Sequence, residues 1–229
     1  MGTYGDMITR IEDEIADSTL NTQVRRSIIS AIEFHESQRW WFNETQVTWT
    51  ASVRQEYYTL SDVTSLTKLP VDVDSVKYVN SRTSLSTTAG AIVDGESYLL
   101  KQRDWSWMEK VARPNTQGDP VSWCWYKRTI RVYPTAHSLS ATHKPIFVLS
   151  AIIPPSSISV SMDLTTSNAW FNEAERLIRY RSKAILYAEV RREMDEASKF
   201  SSMAEAEYRK LRYDHANYTA KGNMTGSNF

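Results

Sequence analysis

The side chains best suited to metal binding or nucleophilic catalysis are few in this sequence, and their spacing favours neither chemistry. The chain has 4 histidines and 1 cysteine, and no histidine has a second histidine or an acidic residue at a short metal-ligand spacing. His35 lies in an apolar helical pattern, which predicts a packed core histidine. Cys124 lies between Trp123 and Trp125 in an alternating pattern, which predicts a buried strand cysteine rather than a reactive thiolate. We therefore expect no metal site.

Motifs for phosphate binding and acyl transfer are also missing from the sequence. Glycine is scarce, at 7 residues, and there is no G-x-x-x-x-G-K-[ST], G-x-G-x-x-G or G-x-S-x-G sequence. The carboxylate pair Glu173/Glu175 stands two residues apart, where a helix splays the two side chains. We expect no catalytic residue, no cofactor and no enzymatic activity. A hydrolase acting through two distant carboxylates stays open as an alternative.

Aromatic side chains are the unusual feature of the composition, with 8 Trp, 12 Tyr and 6 Phe. Some stand beside Lys127 and Arg131, and such a platform could stack on nucleic-acid bases. However, Lys+Arg and Asp+Glu are both 27, whereas a protein that coats a polyanion needs a basic excess. Tryptophan, tyrosine and arginine are also enriched at protein interfaces. We therefore favour subunit interfaces, for which the candidates are Trp40, Trp41, Arg176 and Arg179.

The elements that must position these residues follow from the period of the apolar residues. Residues 1–44 have helical spacing with a break at STLNT, which predicts a helical hairpin. Residues 45–167 alternate with period two and are rich in Val, Thr, Tyr and Trp, which predicts strands; the stretch beginning at Trp105 could instead open a short helix. Residues 168–213 return to helical spacing, as one long helix or two helices with a bend at Arg191-Arg192-Glu193.

The predicted fold is α+β. Each helical region has an apolar face too wide to leave in water, so the hairpin and the C-terminal helix should form a bundle with an inserted antiparallel β domain. Residues 214–229 are small and polar and predict a flexible C-terminal tail. No stretch approaches 18 consecutive apolar residues, and the N-terminus is polar and acidic. We therefore expect neither a membrane span nor a signal peptide.

Several short motifs follow one another in a particular order along the chain. The helical hairpin ends in Trp41-Phe42-Asn43-Glu44, and a strand rich in Thr, Val and Gln follows at once. Next come Pro70–Val76, the turn Gly118-Asp119-Pro120 and an aromatic strand that ends in Tyr133-Pro134. A long Ala/Arg/Glu helix follows Asn168-Ala169-Trp170. This order resembles that of the head-to-tail adaptor family of tailed bacteriophages, also called head-completion or connector proteins, and the resemblance covers nearly the whole chain.

The resemblance implies a structural protein of the virion neck that is assembled in the host cytoplasm. Such adaptors form a dodecameric ring beneath the portal, surround the DNA exit channel and extend a C-terminal tail onto the portal. The implied partners are the portal protein, the neck or tail protein below, other copies of this chain, and genomic double-stranded DNA that passes through the lumen without sequence-specific binding. The candidates for portal binding are the spaced apolar residues of the polar tail, namely Tyr218, Met224 and Phe229.

Two functions of another kind compete with this interpretation. Aromatic β domains also stack on sugars, so the chain could be a carbohydrate-binding or tail-tip module. Such a module would place Trp49, Trp105 and Trp125 together on an exposed face. A peptidoglycan hydrolase is the weaker alternative, because it requires a catalytic acid that the sequence does not single out.

Overall fold

A computed structural model of this protein describes residues 2–59, 61–63, 68, 70–81, 95–113, 116–127, 129–136, 146–153 and 159–222. The chain divides into two compact units, a helical unit of Met1–Asn43 with Pro155–Phe229 and a β unit of Glu44–Pro154. The helices are α1 (Tyr4–Ile15), α2 (Asn21–Glu36), α3 (Trp105–Val111), α4 (Ala169–Glu173), α5 (Glu175–Leu186) and α6 (Met194–Gly222). The strands are β1 (Glu44–Thr50), β2 (Tyr57–Tyr58), β3 (Asp72–Ser81), β4 (Gly95–Leu99), β5 (Lys101–Gln102), β6 (Ser122–Tyr126), β7 (Thr129–Tyr133) and β8 (Ile146–Ile152). The predicted α+β class is confirmed.

The helical unit includes a segment that the sequence pattern had assigned to the β domain. The main-chain N–H groups of Tyr4 and Gly5 donate to the carbonyl oxygens of Thr166 and Leu164, each at 2.9 Å. These bonds attach the segment before α4 to the first turn of α1. The predicted end of the β domain at residue 167 was therefore too late.

Helix α1 begins and ends at well-defined caps. The Thr3 side chain accepts a hydrogen bond from the Asp6 N–H, and the Asp6 carboxylate accepts one from the Thr3 N–H. This capping box satisfies two main-chain donors at the helix start. Ala16 ends the helix in the left-handed conformation, with φ 52°. The apolar face is buried as the spacing predicts, by Tyr4, Met7, Ile8, Ile11 and Ile15.

One hydrophobic core joins all the helices of this unit. Helix α2 adds Val24, Ile28, Ala31 and Ile32, and α5 adds Leu177, Ile178 and Leu186. Helix α6 is mostly polar and contributes Ala197, Ala204 and Leu211, which recur every seven residues. A seven-residue repeat keeps one narrow seam of a helix against its neighbour. Helix α6 therefore packs along a seam and leaves most of its circumference in water.

The long C-terminal helical region is interrupted close to the predicted bend. Helix α5 ends at Leu186, a π-helical turn follows over Tyr187–Arg191, and α6 begins at Met194. Arg192 adopts the left-handed conformation with φ 59°. A residue in this conformation cannot continue a right-handed helix, so the chain reverses here. The predicted bend near Arg191-Arg192-Glu193 is confirmed, but the region contains three α-helices rather than one or two, because α4 is separated from α5 at Ala174.

Helix α6 extends beyond the predicted start of the tail. It runs without interruption to Gly222 because no glycine or proline stands earlier in it. His215 is buried and its ring lies 6.2 Å from the ring of Trp41, a contact that no local pattern reveals. The prediction of a flexible tail from residue 214 was therefore wrong for residues 214–222. Residues 223–229 lie outside the described part of the chain. Even this helix, the longest of the described ones, lacks the apolar stretch that a membrane crossing requires, as do the others.

The β unit contains two four-stranded sheets, in the orders β1-β8-β3-β4 and β2-β7-β6-β5. All described pairs are antiparallel except the short β5–β6 pair. One core takes side chains from both sheets, among them Trp49, Tyr78, Phe147, Trp123 and Val132. For the stretch beginning at Trp105, the sequence was compatible with either a strand or a short helix, and the structure has helix α3 there. Its residue Met108 is fully buried.

Candidate functional site

A groove of about 350 Å³ lies between the start of α5 and the stretch of α6 from Glu207 to Asp214. We call it the Trp41 groove. Its residues combine an apolar floor with charged walls, and they are Trp41, Leu177, Leu211, Glu173, Arg176, Glu207, Lys210 and Asp214. Within the described part of the chain, Glu173, Lys210 and Asp214 have no ion pair, and Arg176 only approaches Glu207 at 4.0 Å. The groove therefore offers charges of both signs beside an aromatic floor.

Beside this groove lie residues for which the sequence predicted two different roles, subunit contact and portal binding. Trp41 and Arg176 were candidates for a subunit interface, and Tyr218 was a candidate for portal binding. The rings of Trp41 and Tyr218 are 6.5 Å apart. The side chain of Arg176 is 63% exposed, and Tyr218 is 55% exposed. Met224 and Phe229 lie outside the described residues.

Trp40 and Arg179 have roles inside the unit rather than at its surface. Trp40 is 0% exposed, and its Nε1 donates to the carbonyl oxygen of His35 at 3.0 Å. Its assignment to an interface was wrong, because neighbouring aromatic rings enclose it. The Arg179 guanidinium donates to Glu14 at 2.5 Å and pairs with Glu175 at 3.3 Å, so its charge is already compensated within the unit.

A second cluster, which the sequence did not reveal, lies where α2 meets α5 and α6. The Arg181 guanidinium lies 4.1 Å from the ring centre of Phe34, and Phe34 is 56% exposed. The His35 ring packs edge-on against Phe34 at 4.9 Å and stacks on Tyr208 at 5.7 Å. We call Phe34, His35 and Arg181 the Arg181 cluster. Its only sequence signal was a large aromatic residue on the polar side of an amphipathic helix.

His35 is a core histidine, as the sequence predicted. It is 5% exposed, and neither ring nitrogen has a hydrogen-bond partner. Burial and, to a smaller extent, the Arg181 charge lower the pKa of His35 to about 4, although the Glu205 carboxylate acts in the opposite direction. The ring is therefore neutral at physiological pH.

Arg131, one of the basic residues considered for a nucleic-acid platform, is not open to phosphate. Arg131 is buried, donates to the carboxylates of Glu56 and Glu109, and lies against the rings of Tyr57 and Trp105 at 5.2 Å and 4.8 Å. A guanidinium whose donors are already used by two carboxylates has little capacity left for phosphate. This cluster instead fixes α3 against β2 and β7.

The three tryptophans expected on a sugar-binding face do not share one. Trp49 is buried in the core of the β unit, and Trp125 packs against the same core. Trp105 stacks on Tyr126 at 4.4 Å, and Tyr126 follows Trp125 in β6, so the two point to opposite faces. Cys124 is buried in the same strand, as predicted, and burial raises the pKa of its thiol, which disfavours the nucleophilic thiolate.

No group of three or more His, Cys, Asp or Glu side chains in the described residues is arranged to hold a metal ion. Comparison with known proteins adds no family: no protein-family model matches the sequence, and no curated protein matches it significantly.

Proposed function

We propose that this protein is a head-to-tail adaptor of a tailed bacteriophage. In this role, copies of the chain form a ring beneath the portal protein, connect the capsid to the neck or tail protein below and surround the channel through which the DNA leaves. The protein acts by binding and has no catalytic step. Its location is the neck of the virion.

The observation that carries the proposal is the exposed aromatic end of α6. Tyr213 is 68% exposed and Tyr218 is 55% exposed, and Tyr218 lies beside Trp41. Exposed tyrosine and tryptophan side chains supply much of the binding energy at protein interfaces. An adaptor needs such residues at the end of its chain, because that end attaches to the portal.

The residues behind the resemblance also stand at joints of the fold. Phe42 and Asn43 form the turn that leads from the helical unit into β1, and Pro70 precedes β3. Asn168 caps α4 by accepting a hydrogen bond from the Phe171 N–H at 3.2 Å. These positions give three of the motifs a local structural reason.

The charge of the chain is consistent with a channel that DNA crosses without binding. Lysines and arginines equal aspartates and glutamates at 27 each, so the chain has no net attraction for a polyanion. In the described part of the β unit, the buried Arg131 is neutralised by two carboxylates. This supports passage of DNA rather than recognition of its sequence.

The proposal is tested by mixing the purified chain with portal rings of the same phage and imaging the product by cryo-electron microscopy. We expect a ring of copies beneath the portal. The double substitution Tyr213→Ala and Tyr218→Ala should weaken portal binding at least tenfold in a mass-photometry titration, and Met224→Ala with Phe229→Ala tests the other predicted anchors. Met194→Ala is the matched control, since Met194 is exposed at the opposite end of α6. A chain that binds no portal ring contradicts the proposal.

A further inference from the structure

We propose that Phe34 and Arg181 form a docking site for a carboxylate of a neighbouring copy of this chain. The inference rests on the proposed function, because a ring places one copy beside the next. It assigns the contact to a particular surface of the helical unit and to a particular chemistry.

The first reason is that Arg181 differs from the other cations of its helix. Arg176, Arg179 and Lys183 each stand within 4.0 Å of a carboxylate of the same unit. Arg181 is half-buried, has no carboxylate partner within the described residues, and its Nε is buried without a hydrogen bond. A guanidinium that is partly removed from water without an anion loses hydration and gains no compensating ion pair. An incoming carboxylate would supply that pair.

The second reason is the unsatisfied polar group of His35, on which the charge of Arg181 acts. His35 is more than nine-tenths buried, and both of its ring nitrogens lack a hydrogen-bond partner. Buried side-chain polar atoms are nearly always satisfied in folded proteins, so two on one ring require an explanation. The positive charge of Arg181 acts on this buried ring, and a carboxylate bound at Arg181 would offset that charge.

The third reason is the exposed aromatic ring above the guanidinium. Phe34 is 56% exposed and stacks on Arg181 at 4.1 Å. An exposed phenylalanine has no hydrogen-bonding group that would favour contact with water, so covering it with a partner is favourable. Arginine is one of the residue types enriched at interface hot spots.

In the part of the chain that the structure describes, no carboxylate completes the site. Glu205 of α6 is the acid whose charge acts on His35, but its Oε1 accepts a hydrogen bond from Arg209 Nε at 3.3 Å. Within the described residues it forms no ion pair with Arg181. No carboxylate of the described residues therefore fills the site, which leaves it open to one from another molecule.

Charge complementarity favours a second copy as that molecule. Residues 6–44 contain four basic and eight acidic side chains, whereas residues 168–222 contain eleven basic and nine acidic ones. In a ring, the contact is heterologous, so one surface of a copy meets a different surface of the next. Glu14 and Asp17 of the hairpin already pair with basic residues of their own copy, and its other acids can face the basic C-terminal region of the next. Asp13 of α1 illustrates a suitable donor, since it is exposed and has no ion pair in the described part of the chain.

The experiment is zero-length crosslinking of Arg181→Lys in rings assembled on the portal. A carbodiimide joins an amine to a carboxylate only when the two are in contact, and the substitution keeps the positive charge. Rings are built from equal amounts of chain labelled with nitrogen-14 and nitrogen-15, so that mass spectrometry separates crosslinks between copies from crosslinks within one. Arg26→Lys is the matched control, because Arg26 is exposed on α2 and lies outside the cluster.

We expect crosslinks between copies from position 181 at least fivefold more often than from position 26. Crosslinks from position 181 only to Glu205 of the same chain would overturn the inference, as would a frequency no higher than the control in intact rings. Both results leave the proposed function standing. A chain that binds no portal ring contradicts the proposed function. In that case the inference is tested on the free chain, and it is overturned if position 181 forms no crosslink between copies there.

Discussion

Acid should destabilise the helical unit, and His35 should be a main cause. This histidine lies in α2 and faces Arg181 of α5 and Tyr208 and Glu205 of α6. Its pKa is lowered from 6.5 to about 4, first because the ring is buried and second because Arg181 is positively charged. Glu205 favours the protonated ring but does not offset burial. The protonated form is therefore strongly disfavoured in the folded unit.

The sign of the effect follows from proton binding. Between pH 6.5 and about 4, the unfolded chain has a protonated His35 and the folded chain does not, so lowering the pH favours unfolding. Each pH unit in this window removes about 1.4 kcal/mol. The loss from His35 should be about 2 kcal/mol at pH 5 and about 3 kcal/mol at pH 4, relative to pH 7.5. A loss of this size is a large part of the stability of an ordinary domain.

The assay is urea unfolding followed by circular dichroism at 222 nm, which reports chiefly on the helices, at pH 7.5 and pH 5.0. His35→Leu should reduce the difference between the two pH values by about 2 kcal/mol, because leucine binds no proton. His215→Gln serves as a comparison: burial and two arginines lower the pKa of His215 as well, so this variant should also reduce the difference. If His35→Leu leaves the pH dependence unchanged, or if His35 titrates near 6.5 by NMR, the reasoning is refuted.

Three further substitutions test the packing of the helical unit, each by urea unfolding. Trp40→Ala should cost about 3–5 kcal/mol, since it empties a fully buried aromatic site, and a cost below 1 kcal/mol would contradict the described core. Glu14→Gln should cost about 1–3 kcal/mol because it leaves the buried Lys183 without its carboxylate, whereas Glu196→Gln, which breaks an exposed pair, should cost less than about 1 kcal/mol. Arg192→Gly should be neutral or stabilising by up to about 1 kcal/mol, because glycine adopts φ 59° without steric cost, and a clear loss would argue against that conformation.

The sequence predicted the structure correctly where each helix or strand buries one face, because the spacing of apolar residues within that element then shows which face it is. The change of apolar period from 3.6 to 2 and back distinguishes the helical and β regions, because each period reports which side chains of one element face the core. The same reasoning identified His35 and Cys124 as buried residues, since both lie on apolar faces of their elements. The break near Arg192 was indicated by a run of charged residues that offered no core position.

The sequence was uninformative wherever distant contacts decide the structure. The segment ending at Ser167 has no helical period, and only its hydrogen bonds to Tyr4 and Gly5 place it in the helical unit. The last turns of α6 look like a polar tail until Trp41, far away in sequence, covers His215. Trp40 has the composition of an interface residue, and only the arrangement of its aromatic neighbours shows that it belongs to the core.

The candidate site was only partly predictable for the same reason. Trp41, Arg176 and Tyr218 were identified by residue type, but their convergence requires the reversal of the chain between α5 and α6. The Arg181 cluster depends on a negative feature, the lack of a carboxylate near one arginine. A sequence in which acidic and basic residues alternate along a helix gives no sign of which of them lack a partner.

The break at Arg192 also explains why the end of α6 is available for binding. Contacts of Phe200 with Tyr187 and of Glu207 with Arg176 show that α6 runs back along α5. Helix α5 has 12 residues and α6 has 29, so at 1.5 Å per residue the two span about 18 Å and about 43 Å. Because α6 is longer, its last turns extend past the start of α5. There the helix packs on Trp41 through His215 and Tyr218, while Tyr213 and much of Tyr218 stay exposed on the surface to which we assign the proposed portal contact.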